Sequence, residues 1–239
     1  MKILLLPLIL FGMLSCNSSK NMLPDDSDST MTDNNPQLTY LALGDSYTIG
    51  EGVKDAGRFP SQLIVKLNAE TSKSWAAPKV IAQTGWTVDE LEQGILKEQI
   101  NGTSYDLVTL LIGVNDQYRG HSVDSYRVEF EKMLDRAIAF AAGKTNHVVV
   151  IAIPDWGITP FAEARNADKN KVETEIKAYN QTQKAICKQK GISFVDISKE
   201  YKDAGQAPEM LAADGLHPSA EMYEIWTKKL FDHIKTINF

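Results

Sequence analysis

The sequence predicts an α/β domain built on a five-stranded parallel sheet, and three observations predict it. Five short apolar runs recur along the chain, stretches between them carry apolar residues at every third or fourth position, and glycines or prolines punctuate the joints. Such alternation is the sequence form of a parallel sheet wound by crossover helices. With 239 residues, 43% of them hydrophobic and 23% charged, the chain is long enough to bury one sizeable core. Neither an internal repeat nor a second domain is evident.

The N-terminal segment stands apart from that domain. Lys2 gives a positive start and residues 3–14 are apolar but short for a bilayer span, so residues 1–15 read as an export signal. Met13-Leu14-Ser15-Cys16 has the form of a bacterial lipobox, with small Ser15 ahead of the cysteine. Cys16 is therefore the expected lipidation site of an exported lipoprotein, periplasmic or at the cell surface, that meets the membrane only through this anchor. Residues 16–37, rich in Ser, Asp, Asn and Thr and without an apolar period, are expected to form a disordered tether, leaving 38–239 as the folded domain. The only other cysteine, Cys187, lies in a helical pattern, so no disulfide framework is expected.

Within the domain, the apolar runs place strands at 38–43, 79–82, 106–112, 147–153 and 192–195. Tyr126, Phe130, Leu134, Ile138 and Ala141 return at helical spacing, so residues 122–142 read as a helix stopped by Gly143. Val172, Ile176, Tyr179 and Ile186 mark a second helix, ended by Gly191. Met222, Trp226, Leu230 and Ile234 mark a C-terminal one after Pro218. Acidic residues outnumber basic ones 31 to 25, for a formal net charge of −6, and no basic stripe interrupts them. This balance argues against a nucleic-acid partner.

Ligands of open parallel sheets bind beyond the carboxyl ends of the strands, and four segments with reactive residue types fall there. Gly44-Asp45-Ser46-Tyr47 follows the first strand, Thr84-Gly85-Trp86-Thr87 the second and Gly113-Val114-Asn115-Asp116 the third, while Asp214-Gly215-Leu216-His217-Pro218 precedes the last helix. A serine hydroxyl is a weak nucleophile at neutral pH and needs an imidazole within reach and a third group to orient that imidazole. Ser46, His217 and Asp214 supply the three types. Asp45 stands before the serine and no Gly-x-Ser-x-Gly elbow is formed, which separates this chain from the α/β-hydrolase design.

In their order and spacing the four segments resemble the blocks of the SGNH hydrolase superfamily, also called GDSL esterases, from Leu38 to the C-terminus. The resemblance implies a three-layer α/β/α, flavodoxin-like fold and a serine esterase that hydrolyses carboxylic esters through an acyl-enzyme, without metal or organic cofactor. It implies Ser46 as nucleophile, His217 as base and Asp214 as its orienting acid, with an oxyanion hole made by the backbone N–H groups of Ser46 and Gly85 and the Asn115 side chain. A side chain at position 85 would be expected to crowd the acyl group. The implied substrate is a small-molecule or glycan ester, with deacetylation of a carbohydrate as the leading expectation and a lysophospholipase or acyl-thioesterase as the alternative. A non-catalytic glycan-binding lipoprotein is the competing class.

Each of these residues also has a structural reading. Serine prefers helix caps, and Asp45 and Asp116 suit turn or cap positions better than acid catalysis. Asp214 and His217 could be metal ligands, but no further cluster completes a first shell. Trp86, Tyr118 and Trp156 are candidates for substrate contact, the tryptophans suiting loop packing equally. Arg119 beside Tyr118 suits either substrate contact or a solvated loop. Trp75 and Trp226 read as core residues, and His121, His147 and His233 as surface or strand-end residues.

Overall fold

The computed structural model describes residues 37–204 and 207–239; the expected leader, Cys16 and all of the expected tether but Gln37 lie outside the described residues. Five strands, β1 (Tyr40–Gly44), β2 (Lys79–Ala82), β3 (Leu107–Leu111), β4 (Val148–Ile151) and β5 (Ser193–Val195), pair in parallel in the order β2-β1-β3-β4-β5. The three central strands are buried at every residue. That is why they read as unbroken apolar runs: helices cover both faces of a parallel sheet. β2 coincides with the expected run, whereas β1 begins two residues late. Leu38 forms an isolated bridge to Trp75 instead, and the other strands are shorter than expected at their ends.

The helices are α1 (Ser46–Ile49), α2 (Phe59–Glu70), α3 (Val88–Lys97), α4 (Val114–Tyr118), α5 (Val123–Phe140), α6 (Pro160–Ala164), α7 (Lys169–Lys190), α8 (Ser198–Ala204) and α9 (Ala220–Ile234). α3, α5 and α7 pack side by side over one face of the sheet and α2 packs with α9 over the other, which completes the three layers. The three expected helices have clear physical ends. Ser122 caps α5 by accepting from the Ser125 amide at 3.1 Å, and Ala142 and Gly143 leave it at φ +53° and +80°. Gly191 ends α7 at φ +68°, and Ser219 caps α9 through the Met222 amide at 3.3 Å.

α2 and α3, like the short α1, α4, α6 and α8, are additions to what the sequence led us to expect. α3 carries a start signal in Thr87-x-x-Glu90, a capping box in which the Thr87 side chain and the Glu90 carboxylate each take a backbone N–H. Trp75 and Trp226 lie in the core, as expected. His147 is a correction: it does sit at a strand end, but it is buried, 3% exposed, with its ring 5.0 Å from that of Phe239. No helix among the described residues is long and apolar enough to cross a membrane.

The winding fixes where a site can form. From β1 the chain moves to β2 on one side, then α3 carries it back across to β3 on the other flank of β1. The carboxyl ends of β1 and β3 therefore diverge into oppositely directed connections, a topological switch point where a crevice opens.

Candidate active site

β1 ends at Gly44, where a Cβ would lie 2.1 Å from Thr48 Oγ1 and 2.3 Å from the Leu111 carbonyl, so only glycine lets β1 and β3 exit side by side. Asp45 then caps α1, accepting from the Tyr47 amide at 3.0 Å. This confirms the capping reading for Asp45 and frees the serine from that task. Ser46 is the first residue of α1, and the first amides of a helix have no partner within it. The Asp45 carboxyl is wholly buried; burial pushes it up to about 8, with the Tyr47 amide opposing and the charge of Asp116 adding to the rise. At neutral pH it is mostly protonated.

After β2 the chain passes through Gly85 at φ +86°. A Cβ there would meet only Arg119 Nη2, at 3.9 Å, so within the protein it is the left-handed conformation, not crowding, that calls for glycine. Among the described residues, neither the Ser46 nor the Gly85 amide meets an acceptor. After β3, Gly113 takes φ +125° and a Cβ would strike the Tyr126 hydroxyl at 2.5 Å and its ring at 2.7–2.8 Å. The Ile112 carbonyl just before it accepts from Tyr126 Oη and Gln183 Nε2, both at 3.0 Å, so the exit of β3 is anchored from α5 and α7. Asn115, on α4, donates its side-chain amide to the Trp86 carbonyl at 2.9 Å and approaches Asp45 Oδ2 at 3.5 Å.

The last segment is a turn closed on itself. Asp214 Oδ1 accepts from the amides of Leu216 at 2.9 Å and His217 at 3.0 Å, while Oδ2 lies 2.6 Å from His217 Nδ1. Gly215 at φ +66° permits the reversal, and Tyr201 Oη holds the Leu216 carbonyl at 2.8 Å. Partial burial alone would raise the Asp214 carboxyl; the hydrogen bonds from the His217 side chain and amide and from Leu216 outweigh it and leave Asp214 below the usual carboxylate range. With Nδ1 engaged, Nε2 is the imidazole nitrogen left for other work. The Tyr47 ring, 5.0 Å from the imidazole, backs it.

Ser46, Gly85, Asn115 and His217 line one cavity of about 260 Å³. A larger hollow of about 650 Å³ beside α2 and α9 contains none of them. Tyr118 and Trp156 stand in the wall of the smaller cavity with ring centroids 5.2 Å apart, and Trp156 Nε1 donates to Gln117 at 2.7 Å, which fixes its plane. Trp86 is the exception among the candidates. Its indole packs on Gly94 of α3, where a Cβ would lie 2.1 Å from the ring, and only its carbonyl serves this region. Arg119 turns from the cavity to the Gly85 carbonyl, at 2.6 Å, and to Glu90 Oε1, at 3.0 Å.

Gln117 and Glu175, which brace Trp156, carry little signal in the sequence; the polar residue of α4 just before Tyr118 is the one local sign. Among the described residues, the group with metal-ligand spacing is Asp116, His121 and Glu129, whose ligand atoms lie within 4.8 Å of one another, and it includes neither Asp214 nor His217. His121 thus has a neighbour the sequence did not reveal: its Nδ1 lies 3.4 Å from Asp116.

With this geometry in hand, comparisons with known proteins agree on its kind. The profile of the GDSL-like lipase/acylhydrolase family matches residues 42–225. No curated protein matches the sequence. Among solved structures, TesA is similar at 20% identity and a TM-score of 0.64, over 82% of this chain and 98% of that one. A lipase/acylhydrolase from Enterococcus faecalis is similar at 19% identity and 0.63, over 83% and 96%. A catalytic mutant of Axe2, an acetylxylan esterase from Geobacillus stearothermophilus, is similar at 17% identity and 0.62, over 84% and 95%. At such identities the likeness is one of fold.

Proposed function

The chain belongs to the GDSL-like lipase/acylhydrolase family and is a carboxylic ester hydrolase, and from that premise we propose that it is a serine esterase that removes short acyl groups, acetyl foremost, from a carbohydrate. The observation that carries the catalytic part is that His217, paired with Asp214 at 2.6 Å, lines the same cavity as Ser46 and Gly85, whose amides meet no acceptor among the described residues. In this reading Ser46 Oγ attacks the acyl carbonyl and His217 Nε2 takes its proton, while Asp214 holds the imidazole tautomer and stabilises the imidazolium. The tetrahedral oxyanion is received by the N–H groups of Ser46 and Gly85 and by the Asn115 amide. Each such donor is worth about 3 kcal/mol where charge develops. Collapse expels the alcohol with the proton from His217. A water activated by the same imidazole then releases the carboxylic acid and restores the serine.

The substrate part is supported by the cavity. At about 260 Å³ it is smaller than the roughly 300–1,000 Å³ of pockets that bury a drug-sized ligand. Tyr118 is 52% exposed against the edge of Trp156, an aromatic surface of the kind on which sugar rings lie. An acetylxylan esterase stands among the similar structures and supports this reading. 4-Nitrophenyl acetate hydrolysis by the parent and its near-complete loss in Ser46→Ala test the mechanism; a variant that hydrolyses as fast as the parent would overturn the triad assignment, whereas a parent without hydrolysis would leave the glycan-binding alternative. Comparing acetyl with octanoyl esters tests the substrate, because a long-chain optimum would assign a lysophospholipase or acyl-thioesterase instead. Anchoring through Cys16 is part of the proposal on sequence grounds, and labelled palmitate should enter the parent chain and not Cys16→Ser.

A further inference from the structure

The oxyanion donor on Gly85 sits on the turn that joins β2 to α3. Glycine at φ +86° has no Cβ to restrain the peptides on either side, and residues 83–87 belong to neither helix nor strand, forming a turn closed by one backbone hydrogen bond, from the Trp86 N–H to the Gln83 carbonyl at 3.2 Å. A backbone N–H stabilises developing charge only if it is already aimed, since reorienting it during the reaction would forfeit the gain. The loop therefore needs an external brace. Its two successive carbonyls have one: Gly85 O accepts from Arg119 Nη2 at 2.6 Å and Trp86 O accepts from Asn115 Nδ2 at 2.9 Å.

Asn115 belongs to α4 and Arg119 is its C-terminal cap, so a single short helix grips the loop twice. The second arm of Arg119, Nη1, meets Glu90 Oε1 at 3.0 Å, and Glu90 Oε2 in turn accepts from the Thr87 amide at 2.9 Å. The guanidinium is thus held between the loop and the start of α3. It does not line the cavity. Resting on the esterase reading above, we infer that Arg119 is a positioning residue for the oxyanion hole: by pinning the Gly85 carbonyl it fixes the torsions of that glycine and keeps its N–H unclaimed at the cavity wall. Arginine suits the task because its planar fork reaches a carbonyl and a carboxylate at once, which a lysine ammonium does in a looser geometry.

The test compares the parent, Arg119→Ala, Arg119→Lys and Ser46→Ala with 4-nitrophenyl acetate, measuring kcat and KM separately together with the melting temperature and the affinity for a boronic acid that mimics the tetrahedral state. Arg119→Ala should lower kcat by about 10-fold or more with KM within about twofold, because the misplaced donor acts in the transition state. Affinity for the boronic acid should fall in step with kcat, and Arg119→Lys should recover part of both. The inference is overturned if Arg119→Ala keeps the parent kcat, or if its loss is matched by a fallen melting temperature while boronic acid affinity is unchanged. If Ser46→Ala is itself as active as the parent, the esterase reading has failed, an outcome distinct from failure of the Arg119 assignment alone.

Discussion

At the scale of single residues, two carboxyl groups of the site respond to pH in opposite directions. Asp214 is held below its ordinary value by its hydrogen bonds, so what it adds to stability is present above the unfolded value near 3.9 and is lost as pH falls through the lower folded value. Asp45 is pushed up to about 8 by burial, so the folded state keeps a proton that the unfolded chain has already released. Stability from this residue falls as pH rises from about 4 towards 8. Asp45→Asn keeps an acceptor for the Tyr47 amide and cannot ionise; urea unfolding at pH 5 and pH 8 should show the variant gaining on the parent at the higher pH. Asp214→Asn should lower kcat on the order of 10⁴-fold, as expected when the orienting acid of a triad can no longer fix the imidazole tautomer; steady-state kinetics near neutral pH measure it. The identities of Ser46, Gly85, Asn115, Asp214 and His217 were legible in the sequence because each sits in a short segment of distinctive spacing. The neutral state of Asp45 was not, because its burial is made by packing from distant segments.

At the scale of elements, Gly94 decides between the two readings of Trp86. Glycine inside a helix costs about 1 kcal/mol relative to alanine, so its presence in α3 needs a compensating reason. The reason is the Trp86 indole, which occupies the space a Cβ would take. Gly94→Ala should gain helix propensity yet lose about 1–3 kcal/mol to overpacking, a net destabilisation that denaturant melts would register together with a shift in tryptophan emission. Opposite behaviour, a more stable protein with unchanged fluorescence, would contradict the packing. The direction of Trp86 is decided by a residue on the next helix, so its own segment could not disclose it. The long helices α5, α7 and α9 were legible because an apolar stripe and a stop signal coincide in each. For α3, the capping box at Thr87 was the available signal, and loss of this cap in Thr87→Ala should cost about 1 kcal/mol in a urea melt.

At the scale of the whole molecule, alternation of apolar runs with helical patterns was enough to foresee a parallel sheet, whereas the strand order was not written in any local segment. It follows from which face each crossover helix covers, and that depends on the packing of α2 with α9 and of α3 with α5 and α7. The described residues from Gln37 onward contain the sheet, its covering layers and the whole candidate site. A chain beginning at Gln37 should therefore match the full-length protein in kcat and melting temperature, which parallel assays of the two would check. In a sheet whose strands all point one way, the chain enters at one edge and the chemistry collects at the other. Gln37 is exposed just ahead of β1, and Ser46 lies past its far end, beyond a strand of five residues or about 16 Å. A bead, electrode or sensor chip coupled at that position would present the mouth of the cleft outward to the solution, so the protein comes with a built-in handle for oriented immobilisation.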